Sequence, residues 1–154
     1  MNGYKFNDSG EIVPVVVNIV WGSPASGKST YVKNNMKPQD ILVDLDLIKR
    51  AISSQTRPID MDNVTSISIS IRDHLYSKIS NREVCDGDVW VIACLPKTEE
   101  RDTLKAKLKA DNLIHIKATE QECYDRVMKD KERTDKEREK KLIYKWFKQF
   151  NYEW

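Results

Sequence analysis

The sequence predicts a three-layer α/β fold with a mainly parallel sheet and a short helical lid, on three observations. Strand-like apolar runs alternate with helix-like segments along the chain. The first long run, residues 15–21, is nearly continuous β-branched residues without the alternation of a half-exposed strand. A glycine-bearing loop follows that run directly.

In chain order, Tyr4-Lys5-Phe6 and Glu11-Ile12-Val13 flank the turn-rich Asn7-Asp8-Ser9-Gly10, so residues 1–12 read as an arm or hairpin. Residues 15–21 give the central strand, buried on both faces. Residues 28–35 form a helix stopped near Pro38, residues 41–43 a second strand, and residues 44–53 a helix that starts at its end. Residues 54–62, with Pro58, connect to a helix that Asn63 or Thr65 can cap. Its apolar stripe is Ile67, Ile71, Leu75 and Ile79. Asp86-Gly87-Asp88 turns into a third strand, 89–94, followed by a helix over 98–110 and a fourth strand over 113–116. Two charged helices, 119–131 and 134–150, close the chain, the second with Leu142, Ile143, Trp146, Phe147 and Phe150 as its apolar side. Parallel strands joined this way need right-handed crossovers, and ligands of such sheets sit beyond the carboxyl ends of the strands.

With 154 residues, 40% of them apolar, the chain fits one domain that buries roughly 70% of its unfolded surface, with 119–154 serving as lid and C-terminal helices. The longest apolar stretch, 12–21, is interrupted by Pro14 and Asn18 and falls short of the ~20 residues that span a bilayer. No membrane partner is expected. Cys85, Cys94 and Cys123 are odd in number and far apart, which excludes a disulfide framework and points to a reducing cytoplasm. The 26 basic and 24 acidic residues nearly cancel, so any basic surface is local.

The informative loop is Gly22-Ser23-Pro24-Ala25-Ser26-Gly27-Lys28-Ser29, which satisfies the Walker A pattern GxxxxGK[ST] at every fixed position, with Thr30 beyond it. Its glycines allow the backbone to wrap a phosphate with N–H groups inward, and the following helix adds its positive end. In that geometry Lys28 reaches the β and γ phosphates and the Ser29 hydroxyl ligates magnesium. The expected ligands are ATP and Mg2+. A glycine-containing turn that merely joins strand to helix is the plain alternative. The absence of an NKxD motif argues against a GTPase.

Asp44 and Asp46, at the end of the second strand, can place a carboxylate beside an incoming hydroxyl, as base or orienting acceptor, and Asp46 can join Ser29 on the metal. Lys49 and Arg50, one turn on, can meet a phosphate on the acceptor. The alternative is that one of the aspartates simply caps the helix.

In order and spacing, GSPASGKST, the DxDxxK of residues 44–49, VWVIACLPKTEERDTL and ECYDRVMKDKER resemble the kinase domain of phage polynucleotide 5′-kinases and the related zeta-toxin and small-molecule P-loop kinases, over residues 15–133. The resemblance implies a P-loop NTPase fold, a γ-phosphate moved to a hydroxyl of a nucleotide, nucleic-acid end or small molecule, and work in the host cytoplasm if phage-encoded. It gives Asp46 the place of the base and Lys49 that of an arginine gripping the acceptor phosphate. Arg126 and Arg133 fall where lid arginines stabilise the transferred group. Two departures stand out. The third strand ends in Ala93-Cys94 where such enzymes often carry an Asp that supports magnesium, and Lys49 cannot make a bidentate fork.

Other readings remain at this level. The missing strand-end Asp favours a small ATPase stimulated by DNA or a protein partner, and loss of catalysis would leave a nucleotide-binding module. The mixed charges of 126–148 form either a solvated face or a basic surface, with Tyr144, Trp146 and Phe147 either stacking on nucleic acid or docking the helix. His74 and His115 read as structural, Trp21 and Trp90 as core or nucleotide-adjacent packing, and Arg57 and Arg72 as surface residues on the acceptor side.

Overall fold

A computed structural model describes residues 1–55 and 61–151; the expected connector around Pro58, with Arg57, lies outside the described residues. The elements run β1 Tyr4–Phe6, β2 Ile12–Pro14, β3 Val17–Trp21, α1 Lys28–Asn35, β4 Ile41–Val43, α2 Leu45–Ala51 and α3 Asp62–Ser80. β5 Val89–Ala93, α4 Thr98–Leu108, β6 Asn112–His115, α5 Glu120–Lys129 and α6 Lys136–Asn151 follow. The sheet is parallel with strand order β4-β5-β3-β6, while β1 and β2 pair antiparallel as a separate hairpin.

β3 lies inside the sheet because it can be apolar on both faces, and all five of its residues are buried. Val17 and Ile19 pack with Tyr76 and Ile79 of α3 and Leu108 of α4. Val20 packs the opposite way, with Val32 of α1 and with Trp90. These two apolar layers make the α/β/α sandwich the sequence predicts.

Carboxylates pin the amino-terminal edge of the sheet. Asp111 accepts from the Val17 N–H at 2.8 Å and Asp88 from the Val16 N–H at 2.9 Å. Asp40 accepts from the Asp88 N–H, the Lys37 N–H and the Trp90 indole. Asp40 is partly buried, which pushes its pKa up, but these three donors outweigh that and hold it below the ordinary carboxylate value. With that edge tied, the loops at the opposite edge carry the chemistry-bearing residues.

Several boundaries correct the sequence reading. α3 starts at Asp62, with Met61 rather than Asn63 or Thr65 at its N-cap. Its expected stripe also fails at one end, since Ile67 is 54% exposed whereas Ser68, Tyr76 and Ile79 are buried. A spacing of four advances about 40° around a helix at each step, so Ile67 and Ile79 face directions about 120° apart. In α6, Ile143 and Trp146 are buried and Phe147 and Phe150 half-buried, but Leu142 is exposed. β3 begins at Val17, β5 ends at Ala93 and β6 spans Asn112–His115, each offset from the expected span by one or two residues.

Gly87 is the tightest point of the fixed edge, since a Cβ there would lie 2.4 Å from the Gln39 carbonyl oxygen. Gly87→Ala therefore forces backbone apart where the β4 and β5 entries meet, and we expect a loss of about 1–3 kcal/mol, the usual range for overpacking, measured by urea unfolding.

Candidate functional site

The 22–29 loop leaves β3 at the carboxyl edge of the sheet and closes on itself through a Ser26 N–H bond to the Ser23 carbonyl at 3.1 Å. Gly22 is required by a close approach, because a Cβ there would meet the Ile116 carbonyl oxygen at 2.7 Å and Ser26 Oγ at 2.9 Å. Ala25 and Gly27 both take positive φ, 61° and 102°, so the backbone reverses twice before α1 begins. Gly22, Ser23, Ser26 and Lys28 are buried, Pro24, Ala25 and Gly27 half-buried, and Ser29 and Thr30 exposed in the first turn of α1.

Two cations from different elements are seated on the carbonyls of this loop. Lys28 Nζ donates to Gly22 O at 2.9 Å and Ser23 O at 2.6 Å. Arg126 Nη1, from α5, donates to Ala25 O at 3.1 Å and Ser26 O at 2.8 Å. α5 reaches the loop because Cys123 and Val127 pack with Ile143 of α6 and with Ala25. Thr119 caps α5, accepting from the Glu122 N–H at 3.1 Å while Glu122 accepts from the Thr119 N–H at 2.7 Å.

The start of α1 is built differently from every other helix among the described residues. It has no side-chain cap and no acidic residue in its first turn. The others carry Asp46, Asp62, Glu99 and Glu100, Glu120 and Glu122, and Glu137 and Glu139 there. An uncapped helix start, with Lys28 and Arg126 beside it and no carboxylate to neutralise it, favours an anion. Ser26 Oγ is buried in the same loop without a hydrogen-bond partner among the described residues.

Asp44 and Asp46 sit at the end of β4 on the other flank of the loop. Asp44 caps α2, accepting from the Asp46 N–H at 3.1 Å. Burial pushes the Asp44 carboxyl above its ordinary value and the Asp46 charge adds to this; the capping N–H and the charges of Lys28 and Arg50 oppose it. The Asp46 carboxylate is exposed and accepts no hydrogen bond among the described residues, so it is available to a ligand. Cys94 stands nearby at the end of β5. It keeps exposed surface, yet packing around the thiol withdraws water and raises its pKa, with Lys28 opposing and Asp46 and Asp44 adding. Lys28, Asp44, Asp46 and Cys94 are thus electrostatic neighbours across three loops.

The remaining expected residues divide. Lys49 is buried in α2 and Arg50 exposed in its last turn. Arg133 is not brought to the loop; Asp130 and Glu139 hold its guanidinium at 3.0 and 2.7 Å. Arg72 lies over the Tyr76 ring and pairs with Asp73. The donor set around the loop, a Ser29 hydroxyl and the oxygens of Asp46, suits a hard cation such as Mg2+ that keeps waters and phosphate oxygens as its other ligands. Among the described residues no group of three or more His, Cys, Asp or Glu forms a metal cage.

Beyond β6 lies a feature the sequence reading missed, a cavity of about 700 Å3 lined by Trp21, Ser23, His115, Lys117, Trp146 and Phe150 among others. Trp21 and His115 are register partners on adjacent strands, and their rings stack at 3.8 Å. The Arg101 guanidinium lies 4.1 Å from the Trp21 centroid while donating to the Leu95 and Pro96 carbonyls and Thr98 Oγ1. Trp146 donates its indole N–H to the Cys94 carbonyl at 2.9 Å, tying α6 to the end of β5. The only sequence signal was Trp21 standing immediately before Gly22.

Neither a protein-family model nor a curated protein matches the sequence. Among solved structures, the fold is similar to one chain of the Pnkp1/Rnl/Hen1 RNA repair complex, with a TM-score of 0.65 and 17% identity over 90% of this chain. The chain spans 44% of that neighbour's length. At that identity the likeness is one of fold alone, an α/β sandwich. Among the described residues no helix is long and apolar enough to cross a membrane.

The raised Asp44 pKa carries a sign for stability. The native state holds that proton more tightly than the unfolded chain, so the group costs stability as pH rises from the ordinary value of 3.8 through its higher native value. Asp44→Asn keeps a cap acceptor without the charge, and its stability relative to wild type should rise between pH 3.5 and pH 7 in urea titrations. Asp44→Ala should fall about 1 kcal/mol below Asp44→Asn at both pH values through the lost cap.

Proposed function

We propose that the protein is a phosphotransferase that moves the γ-phosphate of Mg2+-bound ATP to a hydroxyl of a nucleotide or nucleic-acid end. The observation that carries this reading is the uncapped, acid-free start of α1 with Lys28 and Arg126 seated on its loop, together with the Asp46 carboxylate, which shares Cys94 with Lys28 as an electrostatic neighbour. A phosphate-binding loop alone would support any nucleotide binder; a carboxylate beside it supports transfer to a hydroxyl.

In the proposed reaction the backbone N–H groups of residues 22–29 hold the β and γ phosphates. Lys28 leaves the Gly22 and Ser23 carbonyls for phosphate oxygens, and Arg126 leaves those of Ala25 and Ser26 to meet charge building on the transferred group. Ser29 and Asp46 would hold the magnesium ion, which supplies charge neutralisation between the phosphates when bound. The acceptor oxygen bonds to the γ-phosphorus as the bond to the β–γ bridging oxygen breaks. The hydroxyl proton passes to Asp46, and ADP leaves with the bonding pair on the bridging oxygen. Lys49, Arg50 and Asp44 flank the acceptor side, and Arg133 joins the lid by exchanging Asp130 and Glu139 for phosphate. A nucleic-acid end as acceptor is supported by the fold likeness to a chain of an RNA repair complex.

A second reading, ATP hydrolysis stimulated by DNA or a protein partner, is favoured by one observation. Cys94 rather than a carboxylate directly follows β5 as an electrostatic neighbour of Lys28.

Transfer of label from γ-labelled ATP with Mg2+ to 5′-hydroxyl oligonucleotides, nucleosides and nucleotides checks the proposal. Wild type should label one acceptor class. Lys28→Ala should lose the label and ATP binding together, whereas Asp46→Asn should bind ATP and transfer about 10²–10⁴-fold more slowly. Free phosphate alone, lost in Lys28→Ala and untouched in Asp46→Asn, would move the protein to the hydrolytic reading.

A further inference from the structure

The outer face of α6 carries a charge pattern that the proposed reaction does not use. Residues 136–139 mix charges, but residues 140–151 hold Lys140, Lys141, Lys145 and Lys148 and no Asp or Glu. In a chain whose 26 basic and 24 acidic residues nearly cancel, a solvated helix face ordinarily alternates signs in i,i+4 pairs. At about 100° per residue, the exposed Lys141, Lys145 and Lys148 fall within a sector about 60° wide, on the side away from the buried Ile143 and Trp146. Tyr144, 57% exposed, stands about 40° to one side of that sector. Among the described residues no carboxylate pairs with any of these three lysines; Glu137, in the first turn, pairs with Lys140. We propose that this face docks single-stranded nucleic acid, the lysines meeting its phosphates and Tyr144 stacking on a base. The surface is independent of the transfer chemistry proposed above, since neither the 22–29 loop nor Asp46 takes part in it.

Burial divides the aromatic residues of α6 into two roles. Trp146 is buried with its indole N–H on the Cys94 carbonyl, and Phe147 and Phe150 are half-buried, so these three dock the helix, whereas Tyr144 is left to solvent. An exposed ring beside unpaired lysines suits a single strand, whose bases are free to stack and whose phosphates are close at hand. Lysines also complement the negative end of a helix dipole, but that effect is confined to the last turn, which holds Lys148 alone. Lys141 and Lys145 need another reason. From Lys141 to Lys148 the helix rises about 10 Å, which spreads the charges along a strand instead of gathering them on one anion. On the neighbouring α5, Tyr124 is an electrostatic neighbour of Tyr144, and its hydroxyl donates to the Glu120 carboxylate. A lipid surface does not fit this face, because the apolar side of α6 packs on the protein itself through Ile143 and Trp146. An acidic protein would engage the lysines but give Tyr144 no base to stack on.

Fluorescence anisotropy of labelled oligothymidylate and oligouridylate, titrated with the full chain in the absence of ATP, tests this. Wild type should bind both, with log affinity falling against log salt at a slope of about −2, the value for three phosphates neutralised on a single strand. Lys141→Gln combined with Lys145→Gln should bring the slope to about −0.7, whereas the same loss of charge on α4, Lys105→Gln with Lys107→Gln, should leave it at the wild-type value. Tyr144→Leu should weaken binding about fivefold or more, the size of one base stack, at an unchanged slope. Tryptophan emission equal to wild type reports that α6 stays docked in each variant. Polyglutamate, an anion without bases, should compete weakly and equally in wild type and Tyr144→Leu. Lys28→Ala should bind the strand as wild type does. Binding that survives the Lys141 and Lys145 substitutions, or that is lost in Lys28→Ala, places the strand elsewhere and overturns the inference. An affinity unchanged in Tyr144→Leu, or polyglutamate bound as tightly as oligothymidylate, also overturns it and makes the face a dock for an acidic protein. Failure of wild type to bind either oligonucleotide overturns it while leaving the transfer of phosphate from ATP untouched.

Discussion

Four carbonyl oxygens of one short loop are taken by two cations, Gly22 and Ser23 by Lys28 and Ala25 and Ser26 by Arg126, and the rest of the site depends on this. An isolated buried ammonium is costly, so Lys28 stays in the loop only because the chain turns carbonyls toward it. The same turns, with positive φ at Ala25 and Gly27, lead into a helix that starts without a cap or an acid. Positive charge and unsatisfied N–H groups are therefore concentrated at one point by backbone geometry.

The sheet makes that geometry rigid. β3 is buried on both faces, its neighbours pair with it in register up to Trp21, and the carbonyl of Ile116 presses on Gly22 from the end of β6. α5 and α6 then act as one unit. Cys123, Val127 and Ile143 pack together against Ala25, Arg126 reaches the loop, and Trp146 ties α6 to the Cys94 carbonyl. The α5–α6 pair is thus attached at two separate points of the carboxyl edge, the 22–29 loop and the end of β5.

Much of this was legible in sequence where local chemistry decides the structure. The doubly buried run of β3, the loop motif and the span of α1 need only near neighbours in the chain. The α3 stripe was misread because spacing by four drifts around a helix, and its cap because Met61 starts the helix without a side-chain acceptor. The cavity was legible only through Trp21, which stands immediately before Gly22. It joins Trp21, Arg101, His115, Trp146 and Phe150, residues far apart in the chain whose meeting depends on the strand order and on how α6 returns over the sheet. Arg126 stood out among many charged neighbours through resemblance rather than pattern. The contrast with Arg133, held by Asp130 and Glu139, comes from the turn between α5 and α6.

The central claim is that residues 22–29 receive the phosphates. Hydrogen exchange of the full chain with and without Mg2+-ATP tests it most directly. Protection should appear at the amides of 22–29 and at the start of α1, and should vanish in Lys28→Ala. Protection confined to other segments, or equal in wild type and Lys28→Ala, would contradict the account.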